Sequence, residues 1–258
     1  MDLNLTGCRV IVTAGAAGIG LEVARAFVEE GATVWTCDVD AQAVADLAKS
    51  DPVIRAAVCD VTDREAVLAF FTRATQDMGG LDCLVNNAGI AGATARIEDT
   101  APEDWDRCLE VCLTGQYNFA HLAAPLLRES GNGSMVNFSS AAGKHGFAMR
   151  SAYAAAKWGV IGFTKSLAIE LGEDGVRVNA ILPGIVAGDR QRRVLEAKAQ
   201  RLGKTFAEIE AAAFSYTSIR EYVTARQLAD QVLFLASPRG RTISGQAISV
   251  DGDTKMLA

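Results

Sequence analysis

Tyr153 and Lys157 stand four residues apart in a segment, 151–171, whose residues predict a helix, so both side chains project from one face. A tyrosine hydroxyl titrates near ~10 in water, and a neighbouring ammonium favours its phenolate, which brings proton exchange within reach at neutral pH. Ser140 closes a short run, 134–139, that reads as a strand. Its hydroxyl can donate or accept at the same carbonyl oxygen that the tyrosine would address. The three groups together make a proton relay. Taken alone, Tyr-x-x-x-Lys is far more often an ordinary pair on the surface of a helix, so its meaning depends on its company.

That company begins near the amino terminus. A predicted strand at 9–13 runs into Thr13-Ala14-Gly15-Ala16-Ala17-Gly18-Ile19-Gly20 and then into a helix over 21–30 with Val23, Ala24, Phe27 and Val28 toward one side. Glycines at such a turn let the backbone approach a pyrophosphate whose charge rests on the positive end of the helix. Glycine between strand and helix is also simply a good turn. Asp38, at the end of the second predicted strand, is the supporting sign: its carboxylate can accept from the hydroxyls of an adenosine ribose and would repel a 2′-phosphate. Residues 14–20 and 39–48 hold no Arg or Lys, so NAD is expected rather than NADP.

The elements that must position these groups alternate. Runs at 9–13, 33–37, 53–59, 81–86, 134–139, 177–182 and 246–250 read as strands, with longer helical segments between them. The pattern predicts an α/β fold: one doubly wound parallel sheet of about seven strands with helices on both faces, Rossmann-like, in a single domain over 1–258. A closed barrel of eight strands is the rival at this length, and the glycine placement decides against it. Half the residues are hydrophobic and 22% are charged, as in ordinary globular proteins. A net charge of −6 argues against nucleic acid as a partner. No apolar stretch approaches the ~18 residues of a membrane span, and the termini match no targeting signal, so cytoplasmic residence is the expectation. The six cysteines do not read as a disulfide framework, and Cys8, Cys37 and Cys83, in or beside predicted strands, read as small buried hydrophobes in a reducing compartment. Cys108 and Cys112 share a helix face, but without a second ligand pair no metal is expected.

In order and spacing, the sequence resembles the short-chain dehydrogenases/reductases over nearly its whole length. The motifs that carry the resemblance are the turn at 13–20, Asp60-Val61, Asn86-Asn87-Ala88-Gly89, Ser139-Ser140, Tyr153 to Lys157, Pro183-Gly184, Ser244-Gly245-Gln246 and Val250-Asp251-Gly252. The resemblance implies a homo-oligomer, a tetramer or dimer. It implies that Gly15, Gly18, Ile19 and Gly20 form the cofactor turn, that Asp60 and Val61 lie near adenine, and that Asn87, Ala88 and Gly89 steady the cofactor. It further implies Tyr153 as acid/base, Lys157 on the nicotinamide ribose, Ser140 orienting substrate, and Ile185 after Pro183-Gly184 at the carboxamide. Three positions depart from the pattern. Ala14 replaces the first loop glycine, Cys112 replaces the helix asparagine of the catalytic tetrad, and Gly188 stands where a threonine is common.

The expected reaction moves a hydride between NAD and a small secondary alcohol or ketone, with a hydroxy acid or sugar acid as one form of it. A flap is expected around 187–213, with a helix running to Ala213. Arg190, Arg192 and Arg193 on it, with Arg150 ahead of Tyr153, could clamp a substrate carboxylate bidentately. The plain alternative is a solvated helix start. His145 is a further candidate for the pocket wall, and His121 reads as a helix-face residue. The alternatives in function are a ketoacyl-carrier reductase, which Asp38 and the acidic charge count against, and a cofactor-binding sensor or scaffold weakened at Cys112.

Overall fold

The computed structural model describes residues 2–257, with the side chain of Arg190 outside that description. Seven strands form one sheet: β1 (Arg9–Thr13), β2 (Thr33–Asp38), β3 (Arg55–Val58), β4 (Cys83–Asn86), β5 (Ser134–Phe138), β6 (Arg177–Pro183) and β7 (Ala247–Val250). All neighbours are parallel, in the order β3-β2-β1-β4-β5-β6-β7. The chain winds outward from β1 to β3, returns to place β4 beside β1, and winds outward the other way. A crevice opens where the winding reverses, at the carboxyl ends of β1 and β4.

Alternation along the strands divides the core between two faces. Val10, Val12, Cys83 and Val85 point to one side, where α1 (Gly18–Glu29) and α9 (Ala225–Ala236) supply Val23, Phe27, Leu228 and Val232. Ile11, Leu84 and Met135 point to the other, against Phe70 and Phe71 of α3 (Arg64–Met78), Phe119 and Leu127 of α5 (Gly115–Glu129), and Phe163 and Leu167 of α6 (Ser151–Glu170). Strands buried on both faces must read as near-continuous apolar runs, which is why the limits of β1, β2, β5 and β6 fall within one residue of those read in the sequence, while β4 starts two residues later than expected. The remaining helices are α2 (Ala41–Ser50), α4 (Pro102–Leu109), α7 (Asp189–Leu202) and α8 (Phe206–Phe214).

The differences from the sequence expectation are local. β3 begins at Arg55 rather than at 53, because the Ile54 amide donates to Asp51 O (2.9 Å) and closes a turn through Pro52. The segment expected as a flap is two helices, not one. Gly203, at φ +62°, ends α7, and Thr205 opens α8 with a capping box to Glu208. Leu195, Ala199 and Ile209 give the pair a small core of its own. Among the described residues no helix is long and apolar enough to cross a membrane.

Candidate active site

The crevice is lined first by the turn after β1. Ala14 takes φ +52°, a left-handed conformation that costs an L residue about 1–2 kcal/mol. The extra methyl is therefore accommodated as backbone strain at Ala14 itself, while Gly15 stays out of the positive-φ region. A Cβ at Gly15 would lie 2.1 Å from Thr36 Oγ1, and one at Gly20 2.3 Å from Ala14 O and 2.6 Å from Asn87 Nδ2. Gly18, at φ +56°, opens α1, and Ala17 before it offers no side-chain cap. The first N–H groups of α1, Ile19 among them, thus face the crevice without a side-chain acceptor, beside a backbone that tolerates close approach. This is a cradle suited to a pyrophosphate.

Asp38 ends β2 with one carboxylate oxygen 3.3 Å from the Ala16 amide and the other accepting from Asp40 N at 3.1 Å. It belongs to the glycine turn rather than to a free loop. Asn87 binds the two halves of the sheet: its amide N–H and that of Ala88 both donate to Thr13 Oγ1 (3.0 Å), and its Nδ2 donates to the carbonyls of Thr13 and Ala14 (3.0 Å each). Burial alone would raise the Asp60 carboxyl, but the Thr62 amide and hydroxyl and the Arg107 guanidinium (2.9 Å) hold it below the ordinary carboxylate range. Val61 is buried beside it, and its carbonyl accepts from Asn118 Nδ2 (2.9 Å). Pro183 ends β6. Gly184 donates to Val250 O (3.0 Å), where a Cβ would stand 2.6 Å from Asp251 Cα, and Ile185 O accepts from Val223 N (2.9 Å).

Tyr153 and Lys157 project together from the start of α6. Lys157 is buried, its Nζ donates to Phe138 O at 2.8 Å, and it lies 5.7 Å from the centroid of the Tyr153 ring. A carbonyl at the end of β5 therefore fixes the ammonium beside the phenol. Ser140 caps the 3-10 turn Ala141–Gly143, its Oγ accepting from Ala142 N (3.2 Å), and Ser139 Oγ donates to Lys157 O (2.7 Å) to seat that turn on α6.

Cys112 lies in a π-helical turn, Glu110–Thr114, between α4 and α5. Its buried thiol accepts from Ile90 N (3.4 Å) and donates to Ile90 O (3.5 Å). A Cβ on Gly89 would be 3.6 Å from that sulfur and 3.5 Å from Lys157 Nζ, so Gly89 is in contact range of both groups. A hydrogen bond with Cys112 and burial push the Cys108 thiol far above its ordinary range. Sequence reasoning missed Gln116, a buried amide whose Nε2 bridges Cys112 O (3.2 Å) and Phe138 O (3.1 Å). It also missed the polar chain Asn86 Nδ2 to Asn137 Oδ1 (2.9 Å) and Asn137 Nδ2 to Thr164 Oγ1 (3.0 Å). A polar residue at a core position of a predicted strand, as at Asn137, was the available signal.

The substrate candidates do not converge. Arg150 is not at an open mouth but buried, donating to Ala91 O and lying over the rings of Phe147 and Tyr153. Arg192 pairs with Glu196 (2.8 Å) on the exposed side of α7, and Arg193 is exposed, which is the arrangement of a solvated helix start. The side chain of Arg190 lies outside the described residues. His145 Nε2 is 2.9 Å from Thr254 O and so engages the carboxyl-terminal tail, while His121 is exposed against Tyr117. Gly188 takes φ +139° ahead of α7, which explains why no threonine stands there.

A family model described as enoyl-(acyl carrier protein) reductase matches residues 14–253. The chain belongs to the short-chain dehydrogenase/reductase family. Among curated relatives, D-beta-hydroxybutyrate dehydrogenase of Cupriavidus necator is 34% identical over 254 residues, covering 96% of this chain and 98% of the relative. A solved NAD+-bound xylitol dehydrogenase superposes with a TM-score of 0.92 at 27% identity, covering 96% and 99% of the two chains. An actinorhodin polyketide ketoreductase variant solved with NADPH gives a TM-score of 0.89 at 30% identity, covering 94% and 95%. As a short-chain dehydrogenase/reductase the chain is an oxidoreductase with a nicotinamide site, and the glycine cradle and the Tyr153–Lys157 pair lie at the crevice the fold provides.

Proposed function

We propose that this member of the family is an NAD-dependent dehydrogenase of small secondary alcohols, with hydroxy acids as the preferred class. The observation that carries the cofactor assignment is Asp38 inside the glycine turn, 3.3 Å from the Ala16 amide, where a ribose 2′-phosphate would meet a carboxylate. Gly15, Gly18, Ile19 and Gly20 would receive the pyrophosphate. Asp60 and Val61 would flank adenine, and Asn87, Ala88, Gly89, Pro183, Gly184 and Ile185 would line the path to the nicotinamide. A bound nicotinamide would supply the acceptor for the hydride of the carbinol carbon. The protein handles the proton: Tyr153 takes it from the alcohol oxygen, Lys157 holds its position through Phe138 O, and Ser140 donates its O–H to the same oxygen as a carbonyl forms. The hydroxybutyrate relative supports an acid as substrate. Arg150 and Arg192 do not support a carboxylate clamp, since both guanidiniums are engaged elsewhere. The exposed apolar Tyr117, Trp158 and Ile169 on α5 and α6 support the expected homo-oligomer.

The test is a screen of hydroxy acids, polyols and secondary alcohols for reduction of NAD and NADP, in wild type and Asp38→Ala. NAD should be used at least tenfold more efficiently, and the variant should narrow the gap by raising activity with NADP. Equal or better use of NADP by the wild type would refute the assignment. It would favour the ketoacyl-reductase reading, to which the NADPH-bound ketoreductase lends support.

A further inference from the structure

We propose that Arg150 is a positioning residue for the reaction, one that holds the ring of Tyr153 in place and ties it to the loop after β4. The inference rests on the reading of Tyr153 as the acid/base. Arg150 precedes α6 by one residue and is 6% exposed, although arginine is among the residues least often buried. Its guanidinium carbon lies 5.0 Å from the centroid of the Tyr153 ring and 5.2 Å from that of Phe147, and Nη2 donates to Ala91 O.

The backbone that delivers Arg150 is set by the same loop. Met149 adopts φ +64°, and its carbonyl accepts from Ala95 N at 2.9 Å. Gly92, at φ +68°, brings the loop against the helix start, since a Cβ there would lie 4.0 Å from Tyr153 Cβ and 2.9 Å from Cys108 Sγ. The phenol ring thus has a guanidinium held by a carbonyl beyond β4 and an ammonium held by a carbonyl at the end of β5. The Cys108 and Cys112 thiols pack against the same helix start. Both cations attract the ring electrons. A shift of the ring loses the guanidinium contact, and a shift of the loop loses the Ala91 bond. Arg150 therefore couples the position of the proton-transfer group to residues 87–95, the segment that would border the nicotinamide.

Arg150→Met gives up the hydrogen bond to Ala91 O but also removes the cost of burying a charge, so the two effects on stability oppose each other. A purely structural arginine and a positioning one therefore part company in Arg150→Met. The experiment compares wild type, Tyr153→Phe, Arg150→Met and Arg150→Lys. It measures Tm, the affinity for NADH by fluorescence, kcat and KM for NADH-driven reduction of acetoacetate and ethyl acetoacetate, and a crystal structure of Arg150→Met. The proposal expects Arg150→Met to keep its Tm and bind NADH within about twofold of wild type. It expects kcat to fall roughly ten- to hundredfold, the cost of a catalytic group about 1 Å out of place. The crystal structure should show the Tyr153 hydroxyl displaced. Arg150→Lys should recover only part of kcat, because an ammonium lacks the planar fork.

An unmoved Tyr153 hydroxyl, or kcat within twofold of wild type in both Arg150 variants, would overturn the proposal. So would a loss confined to KM for acetoacetate and absent for its ester, which would make Arg150 a direct substrate contact. A fall in Tm and NADH affinity that matches the fall in kcat in both variants would reduce it to a structural residue. Failure of the underlying reading is distinct: Tyr153→Phe would then retain turnover.

Discussion

At the scale of single residues, Cys112 is the departure with the clearest chemistry. Its thiol both accepts from Ile90 N and donates to Ile90 O, and a primary amide offers the same two functions. Cys112→Asn should therefore stay folded, with turnover within a few-fold of wild type or above it. Cys112→Val keeps the volume but strands the Ile90 amide, at about 1–3 kcal/mol. Thermal melts and steady-state rates on the two variants check this. A Cys112→Asn protein less stable than Cys112→Val would show that the niche admits no amide. The main chain matters as much here, since Cys112 O is the carbonyl met by Gln116. The replacement of the tetrad asparagine was visible in the sequence. The amide of Gln116 that meets the carbonyl was not, because a lone glutamine in a helix carries no signal until the helix is placed.

At the scale of elements, the π-helical turn over Glu110–Thr114 shows why part of the site could not be read in advance. No residue in it marks a π turn, and Gly115, directly after it, lets the helix approach Val61 closely. A Cβ on Gly115 would stand 2.6 Å from Val61 Cγ2. Gly115→Ala should cost on the order of 1–3 kcal/mol by overpacking and weaken NADH binding, and adding Val61→Ala should return much of both. Denaturant melts and NADH titrations on the two single variants and the double variant measure the coupling. Strict additivity would mean the two residues do not meet. By contrast, the split of the flap was written in the sequence, with Gly203 as a left-handed stop and Thr205-x-x-Glu208 as a start. An expectation of one long helix passed over both signals.

For the whole molecule, the strands, their order of appearance and the α/β class followed from apolar runs spaced by helices, because burial of β1, β2, β4, β5 and β6 on both faces leaves little choice of residue. The buried Arg177 was less legible. It stands at the start of β6 and donates to the carbonyls of Leu235, Ala236 (3.0 Å) and Ser237 (3.3 Å), the last turn of α9 and the residue after it, and to Asn132 Oδ1 (3.2 Å). Burial lowers its affinity for a proton, yet the cluster of carbonyls explains why a cation stands there. Arg177→Met should leave those acceptors unsatisfied and cost on the order of 3 kcal/mol, a fall in Tm of roughly 6–12 °C. NADH affinity should be retained, since this is the amino-terminal end of the sheet, away from the crevice. Calorimetry and an NADH titration test the pair of outcomes, and a drop in Tm under about 2 °C would show that the carbonyls find other partners.

The strand order carries a consequence in time. Every neighbouring pair in the sheet is also consecutive along the chain except β1 and β4, and it is across that one joint that Thr13 meets Asn87 and Ala88. A nascent chain that has emerged only through β3 holds the glycine turn and Asp38 but has no opposite wall. The crevice comes into being when the strand bearing Asn87 docks, and the phenol and ammonium arrive only with α6. Coenzyme capture by ribosome-bound or proteolytically shortened chains should switch on at that docking step, so that the nucleotide acts as a clock for the assembly of the two halves.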